Sequence, residues 1–320
     1  MTQERASRKK GSHTATVLSN VQAGECFWKL RLRFDGEAAK AFAGFTPGQF
    51  VQFDVSDLAI PSTDSIPTAL LDGARRSVLL RRPFSFSDVT ADGDTTTADL
   101  LYCIVGPASL RMTTLREGDT THLIGPLGNG FAVPEGKRTA LLVVGGMGLP
   151  PIRCLAKSLS VEHPDITAVA FIGSRTVNAL PLEERPARFD EGLSLSVPTF
   201  ATLGIASMVA TDDGSAGHRG PVTKCLSHWL QENADRPREE TVVYACGPER
   251  MLAAVARIAN ETDIDCQVSM ERRMACGIGL CQSCAVECRV AGSDEIIYKL
   301  CCQDGPVFDA REVFFGADDA

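Results

Sequence analysis

Excess positive charge, long apolar runs and histidine are all scarce in this sequence, and each scarcity excludes a class of function. Lys and Arg number 32 against 40 Asp and Glu, a net charge of −8. That balance argues against a nucleic acid or an anionic membrane as partner. No apolar run reaches the roughly 18–20 residues needed to span a bilayer. The opening MTQERASRKKGSH is basic, but no apolar core follows it. It therefore reads as a flexible arm over residues 1–13 and not as a secretory signal. Five histidines are scattered along the chain, with no His, Asp and nucleophile constellation. They read as structural or exposed. No internal repeat is visible.

Cysteine, by contrast, is abundant. Twelve cysteines without an export signal point to reduced thiols in a cytoplasm, not to a disulfide framework. Cys26, Cys103, Cys154, Cys225, Cys246 and Cys266 are dispersed, as small buried hydrophobes usually are. The other six, Cys276, Cys281, Cys284, Cys288, Cys301 and Cys302, crowd into one short stretch that needs a chemical reason.

The chain changes grammar twice. From Thr14 to about Phe131, short β-rich runs (KLRLRF, QFVQFDV, SVLLRRPFSFS, LLYCIV) alternate with Gly, Pro and Asp turn signals, which predicts an antiparallel β-barrel. Leu58 to Arg75 has no clean period and carries two prolines, so it reads as an inserted surface loop with one helical turn. After Glu135-Gly136-Lys137 the continuous apolar run TALLVVGG predicts a parallel strand buried on both faces. IRCLAKSLS, ITAVAFIG, LSLSVPTFA, PVTKCLSHWLQEN, ETVVYACG and RMLAAVARIANE follow as the alternating helices and strands of a doubly wound α/β domain. The last fifty residues are rich in Cys and Gly and end in an acidic tail, Gly316 to Ala320. The expected class is a multidomain α+β protein: a barrel over 14–137, an α/β domain over 138–268, and a small module with its tail over 269–320.

Cys276, Cys281 and Cys284 read C-x4-C-x2-C, with Cys301 and Cys302 after a gap. This is the plant-ferredoxin spacing for a [2Fe–2S] cluster. Three thiolates from one tight loop cannot surround both irons, so a fourth must come from another segment. Gly277 and Gly279 stand where the backbone must curl around inorganic sulfide and offer it N–H groups. A structural zinc site would want two closely spaced Cys pairs, and the first gap of four residues does not supply them.

Other motifs suit a flavin and a nicotinamide. Arg82, Pro83, Phe84 and Ser85 close a strand of the barrel, where a hydroxyl and main chain can bind flavin edges and an arginine can neutralise pyrophosphate. Val105 to Ser109 leads into a helical run whose free N–H groups could hold phosphate. Gly145, Gly146 and Gly148, followed by Pro150 and Pro151, form a turn between the buried strand and a helix, a phosphate-binding context. Cys246, Gly247 and Pro248 end another strand, where ligands bind in open α/β sheets. Cys246 is the candidate to sit beside a nicotinamide ring as the catalytic cysteine. Ser174-Arg175 could accept a 2′-phosphate, leaving NAD and NADP both open.

Assembled in this order, the motifs resemble the ferredoxin–NADP reductase superfamily and, within it, the electron-transfer subunits of class 1B dihydroorotate dehydrogenases. The resemblance rests on RRPFSFSDV, GPLGNGF, VVGGMGLPPI, ATDDGSAGHRGPVT, YACGPERM, CQVSMERRMACGIGLCQSC and CCQDGPVFDAREV, and spans residues 14 to 314. It implies an FAD-binding barrel, an NAD-binding α/β domain and a cluster module. It also implies flavin contacts at Arg82 to Ser85, at Leu101, Tyr102 and Cys103, and at Ala108 and Ser109. The family's last ligand stands one residue before Asp-Gly-Pro-Val-Phe, which makes the ligand set Cys276, Cys281, Cys284 and Cys302.

By the same resemblance the partner is an FMN-containing catalytic subunit that oxidises dihydroorotate, in a heterotetramer of pyrimidine biosynthesis. Electrons would pass between that FMN and NAD through the cluster and FAD. The chain departs from the family at Ala108-Ser109, where Gly-Thr is usual, at Val144, where a glycine is frequent, and in its insertion and arm. Two other functions share the motifs: a reductase subunit of a transhydrogenase, sulfhydrogenase or oxygenase, and a non-catalytic redox sensor. NADH-dependent bleaching of a bound flavin separates the sensor from the reductases.

Overall fold

The computed structural model describes residues 11–316 except 26, 181–196, 291, 292 and 294. Most of the N-terminal arm, Cys26, the first part of LSLSVPTFA and the end of the acidic tail lie outside the described residues.

Seven strands, β1 (Gly11–Gln22), β2 (Phe27–Asp35), β3 (Phe50–Phe53), β4 (Arg82–Phe84), β5 (Asp88–Asp92), β6 (Thr95–Cys103) and β7 (Thr120–Leu127), form one curled antiparallel sheet. Their order is β4-β3-β7-β1-β2-β6-β5, so β4 and β5 are its edges. Period-two alternation turns Leu30, Leu32 and Phe34 of β2 inward. There Phe34 stacks on Phe42 of α1 (Gly36–Ala43) at 4.1 Å, and Phe86 closes edge-on. Between β3 and β4 the insertion holds more than the one helical turn expected: turns at Thr63–Ser65 and Thr68–Leu70, then α2 (Leu71–Ala74). Its prolines at 61 and 67 each precede a turn, a position that suits their fixed φ. A short helix, α3 (Pro107–Met112), follows β6.

The second sheet is built from β8 (Thr139–Gly145), β9 (Thr167–Ser174), β10 (Ala206–Thr211), β11 (His218–Arg219), β12 (Thr241–Cys246) and β13 (Asp265–Ser269). These strands are parallel. All seven residues of β8 are buried, as a strand covered on both faces requires. Helices α4 (Leu149–Glu162), α5 (Pro198–Ala201), α6 (Val222–Glu232) and α7 (Glu249–Glu261) connect them. The third strand is Ala206–Thr211 and does not fall in LSLSVPTFA: the described end of that run is the turn of α5, which Pro198 opens. A proline at the first helical position has its φ preset and needs no N–H donor there.

The sheet order is β11-β10-β9-β8-β12-β13, with a last strand, β16 (Val307–Asp309), beyond β13. The chain runs outward from β8 to β10 on one side and from β12 to β13 on the other. The order therefore reverses between β8 and β12, and the crevice beyond their C-terminal ends is where ligands bind in open α/β sheets.

The C-terminal segment packs against the α/β sheet and joins it at one edge. After a hairpin of β14 (Ala285–Arg289) and β15 (Ile296–Leu300), the strand β16 (Val307–Asp309) adds antiparallel to β13. Cys284, Cys288, Cys301 and Cys302 are thereby packed into one core with Val268 and Phe308, and with Phe50 of the barrel. On the opposite side Asp88 ties β5 to α4: its carboxylate takes Arg153 at 2.8 Å and also Lys157. Burial raises the Asp88 carboxyl, but the two cations outweigh that and hold it below the usual range. No helix of the described residues is long and apolar enough to cross a membrane.

Candidate functional site

Barrel, α/β sheet and C-terminal segment meet at a cleft of about 830 Å³, continuous with a second of about 430 Å³. The barrel contributes β4 and the end of β6; the α/β sheet contributes the turns after β8 and β12. Arg82, Pro83 and Phe84 line the larger cleft, and Ser85 the smaller. Arg82 donates to the carbonyls of Leu80 (2.7 Å) and Arg81 (3.1 Å). Neither acceptor is charged, so the guanidinium keeps its charge for an anion.

Cys103, Ala108 and Ser109 line the larger cleft as well. The Ser109 hydroxyl accepts from the N–H groups of Val105 (3.0 Å) and Gly106 (3.3 Å), folding the turn before α3 onto itself. Leu101 and Tyr102 border the smaller cleft, although both side chains are buried. The Tyr102 ring packs in the barrel core and its hydroxyl donates to Asn20 at 3.2 Å, which leaves its main chain to face the cleft.

The residues of the turns after β8 and β12 divide. Gly247 and Pro248 line the larger cleft and Cys246 the smaller. Burial pushes the Cys246 thiol up to about 12, against a smaller lowering by the Ser269 hydroxyl, so it stays protonated at neutral pH. Gly145, Gly146 and Gly148 do not line either cleft; Met147, Pro150 and Pro151 of the same turn do. Gly145 and Gly148 serve close packing, a Cβ on Gly148 lying 2.0 Å from the Cys246 carbonyl oxygen, whereas Gly146 has open space around it and a φ of +50°.

One segment was not marked as a site by sequence reasoning. Met270 to Ala275, between β13 and the first cysteine of the loop, lines the larger cleft. Arg272 is held there by a bidentate pair with Glu249 of α7 at 2.8 and 2.9 Å. The paired arginines directly before the C-x4-C run were the available signal. Ser283, next to Cys284, lines the same cleft. Cleft and cysteine loop are therefore immediate neighbours.

In the loop, the Cys276 sulfur faces the N–H groups of Ile278 (3.5 Å) and Cys281 (3.4 Å). The Ser283 hydroxyl and N–H, with Cys276, pull the exposed Cys281 thiol down to about 6. Burial, and then the adjacent Cys284 thiol, push Cys302 up to about 12, while the Gly279 N–H bonds to its sulfur. Cys301 points elsewhere: its thiol donates to the Met270 carbonyl at 3.3 Å. Among the described residues no group of three His, Cys, Asp or Glu side chains is placed to hold a single metal ion. A loop of thiols with N–H groups aimed at the sulfurs suits a cluster of two irons, whose positive charge would offset ionising the buried Cys302.

Residues 271–314 match the family described as the iron-sulfur cluster binding domain of dihydroorotate dehydrogenase B, and residues 142–257 match the oxidoreductase NAD-binding domain. The chain is similar to the electron transfer subunit of dihydroorotate dehydrogenase B (NAD(+)) from Caldanaerobacter subterraneus subsp. tengcongensis, 32% identical over 301 residues, covering 94% of this chain and 98% of that one. The protein of the same name from Bacillus caldolyticus is 38% identical over 270 residues, covering 83% and 86%. Among solved structures, an NADH-dependent reduced ferredoxin-NADP oxidoreductase superposes with a TM-score of 0.69 over 94% of this chain and 90% of that one. At 24% identity that likeness concerns the fold.

Proposed function

The chain belongs to the family of dihydroorotate dehydrogenase B electron transfer subunits, and on that footing we propose that it carries electrons between a catalytic partner subunit and NAD⁺ in pyrimidine biosynthesis. Its own centres in this reading are FAD and a [2Fe–2S] cluster. The observation that carries it is the shared segment: Met270 to Ala275 lines the cleft and runs directly into Cys276. A flavin in the cleft and a cluster in the loop would then be adjacent.

Bound there, FAD supplies the conversion between two-electron hydride transfer and one-electron transfer. The rest falls to this chain's residues. Arg82 offers its uncommitted charge to the pyrophosphate, and Ser85 with the main chain of Leu101 to Cys103 offers polar edges to the ring. The uncharged Cys246 thiol stands at the end of β12 to pack beside a nicotinamide without adding charge, while Met147, Pro150 and Pro151 keep water from that side. Cys276, Cys281, Cys284 and Cys302 hold the irons. Leu280 is 78% exposed beside the exposed Cys281, so the loop reaches the surface where electrons can pass to another protein.

The partner in this proposal is the FMN-containing, dihydroorotate-oxidising subunit, and the assembly a heterotetramer. NAD is favoured over NADP because the main chains of Asp212 and Asp213 bond to Ser174 and Arg175, bringing two acidic residues to the place a 2′-phosphate would occupy. A cytoplasmic location accords with cysteines that form no disulfide among the described residues.

Anaerobic NADH titration of the purified chain, followed by visible absorption, tests the reading. About one FAD and two irons per chain are expected. NADH should bleach the flavin, and with the partner present dihydroorotate should reduce both centres. Stoichiometric zinc without acid-labile sulfide would overturn it. Arg82→Ala should weaken FAD binding by about 10–100-fold, the value of one charge-assisted hydrogen bond, with the cluster spectrum intact. Unchanged flavin content and affinity would remove Arg82 from the site.

A further inference from the structure

Gln52 of β3 is fully buried, yet neither its amide nitrogen nor its amide oxygen has a hydrogen-bond partner. It is the one side chain among the described residues with both polar ends orphaned in this way. Buried amides are rarely left so without a reason, such as a group that completes them. Alternation along β3 sends Val51 and Phe53 into the barrel core and leaves Phe50 and Gln52 on the outer face. Phe50 on that face belongs to the same packed core as Cys284, Cys301 and Cys302.

Gln52 itself lies under the first turn of the cysteine loop. A Cβ on Gly277 would sit 2.5 Å from its Nε2 and 2.5 Å from its Cγ, and Gly277 has φ +71°. The residue after Cys276 is thus a glycine in the left-handed region, packed against this amide. Across the sheet Gln52 is paired with Pro83, which lines both clefts, but Gln52 lines neither. Its amide is directed to the cluster side of the wall between the two centres.

We propose that the Gln52 carboxamide is a tuning group of the cluster, donating from Nε2 to a cluster-bound sulfur and raising the cluster's reduction potential. The inference rests on the functional reading above, because it needs the irons in the loop. A hydrogen bond to a cluster sulfur stabilises the added electron of the reduced state. The N–H groups of Ile278 and Cys281 approach the Cys276 sulfur only at 3.5 and 3.4 Å. A donor from the barrel would add to them and would link the cluster's potential to the domain that holds the flavin.

The test is a redox titration of the cluster EPR signal in the FAD- and iron-loaded chain, comparing wild type with Gln52→Met and Gln52→Glu. Methionine keeps length and volume and removes the donor. Its cluster should take up an electron about tenfold less favourably, about 59 mV for a one-electron couple. The flavin potential and the rate of flavin reduction by NADH should stay at wild-type values. Gln52→Glu, which also brings negative charge, should lower the cluster potential at least as far. An unshifted potential in a variant that retains its cluster overturns the proposal, and so does a shift confined to the flavin. Loss of the cluster in both variants would make Gln52 a prop of the loop and overturn the tuning role. A wild-type chain with no [2Fe–2S] signal would overturn the functional reading itself, and this inference with it.

Discussion

Cys302→Ser is expected to empty the chain of its cluster, while Cys301→Ser, one residue away, leaves the cluster's absorption and EPR signal nearly normal. The two cysteines are equally buried, so exposure does not distinguish them. Direction does. Cys302 sits with the Cys284 thiol and the Gly279 N–H inside the loop, whereas Cys301 donates to the Met270 carbonyl on the far side. Serine replaces a soft thiolate by a hard, poorly acidic hydroxyl, which iron in a sulfide cluster accepts badly. Electron delivery to the partner subunit should fall by more than the roughly 10–100-fold that loss of an outer-shell partner costs. NADH should still reduce the flavin in the Cys302→Ser chain, because hydride arrives from the cleft and not through the loop. Iron and sulfide analysis with EPR reads the result. The reverse pattern would move the ligand to Cys301, and no effect from either change would point to Cys288 or a non-cysteine group.

The sequence disclosed the elements that repeat a strong pattern. The all-apolar β8 and the β-rich runs of the first domain carry their period openly. Position within the sheet was less legible: LSLSVPTFA reads as a strand by composition, yet its proline opens a helical turn and the strand begins only at Ala206. The C-terminal segment was legible as a unit because cysteine and glycine dominate it. Its return to the sheet through β16 depends on three residues, Val307 to Asp309, too short a run to announce a partner.

Around the cleft, motifs pointed to the turns after β8 and β12 and to the β4 strand. Contributions made across domains stayed hidden. Gln52 reads as an ordinary polar residue in a strand, and Met270 to Ala275 carried part of the family resemblance but no site assignment. Their importance comes from what the fold lays against them, a long-range contact with no local period.

The last expectation concerns the turn between β8 and α4. Gly148 has an ordinary φ of −68°, so conformational freedom is not why it is glycine. Space is the reason. A Cβ there would meet the Cys246 carbonyl oxygen at 2.0 Å, the carbonyl carbon at 2.3 Å and the Gly247 nitrogen at 2.8 Å, all backbone atoms that cannot rotate away. Gly148→Ala must therefore push the turn after β8 away from the turn after β12, at the point where the strand order reverses. Overpacking of this kind costs about 1–3 kcal/mol of stability, which thermal unfolding will register. The functional loss should be larger. Displacing Cys246 and Met147 by even about 1 Å misaligns a nicotinamide held between them, and errors of that size cost about hundredfold in rate. NADH reduction of the flavin should slow accordingly in stopped-flow traces. Dithionite should still reduce both flavin and cluster, since the atoms a Cβ at Gly148 would strike belong to the turn after β12 and not to β4 or the cysteine loop. A normal rate with NADH would mean that the two turns do not jointly hold the nicotinamide. A loss of cluster and flavin together would mean that the Gly148 contact supports the whole fold and not the nucleotide side alone.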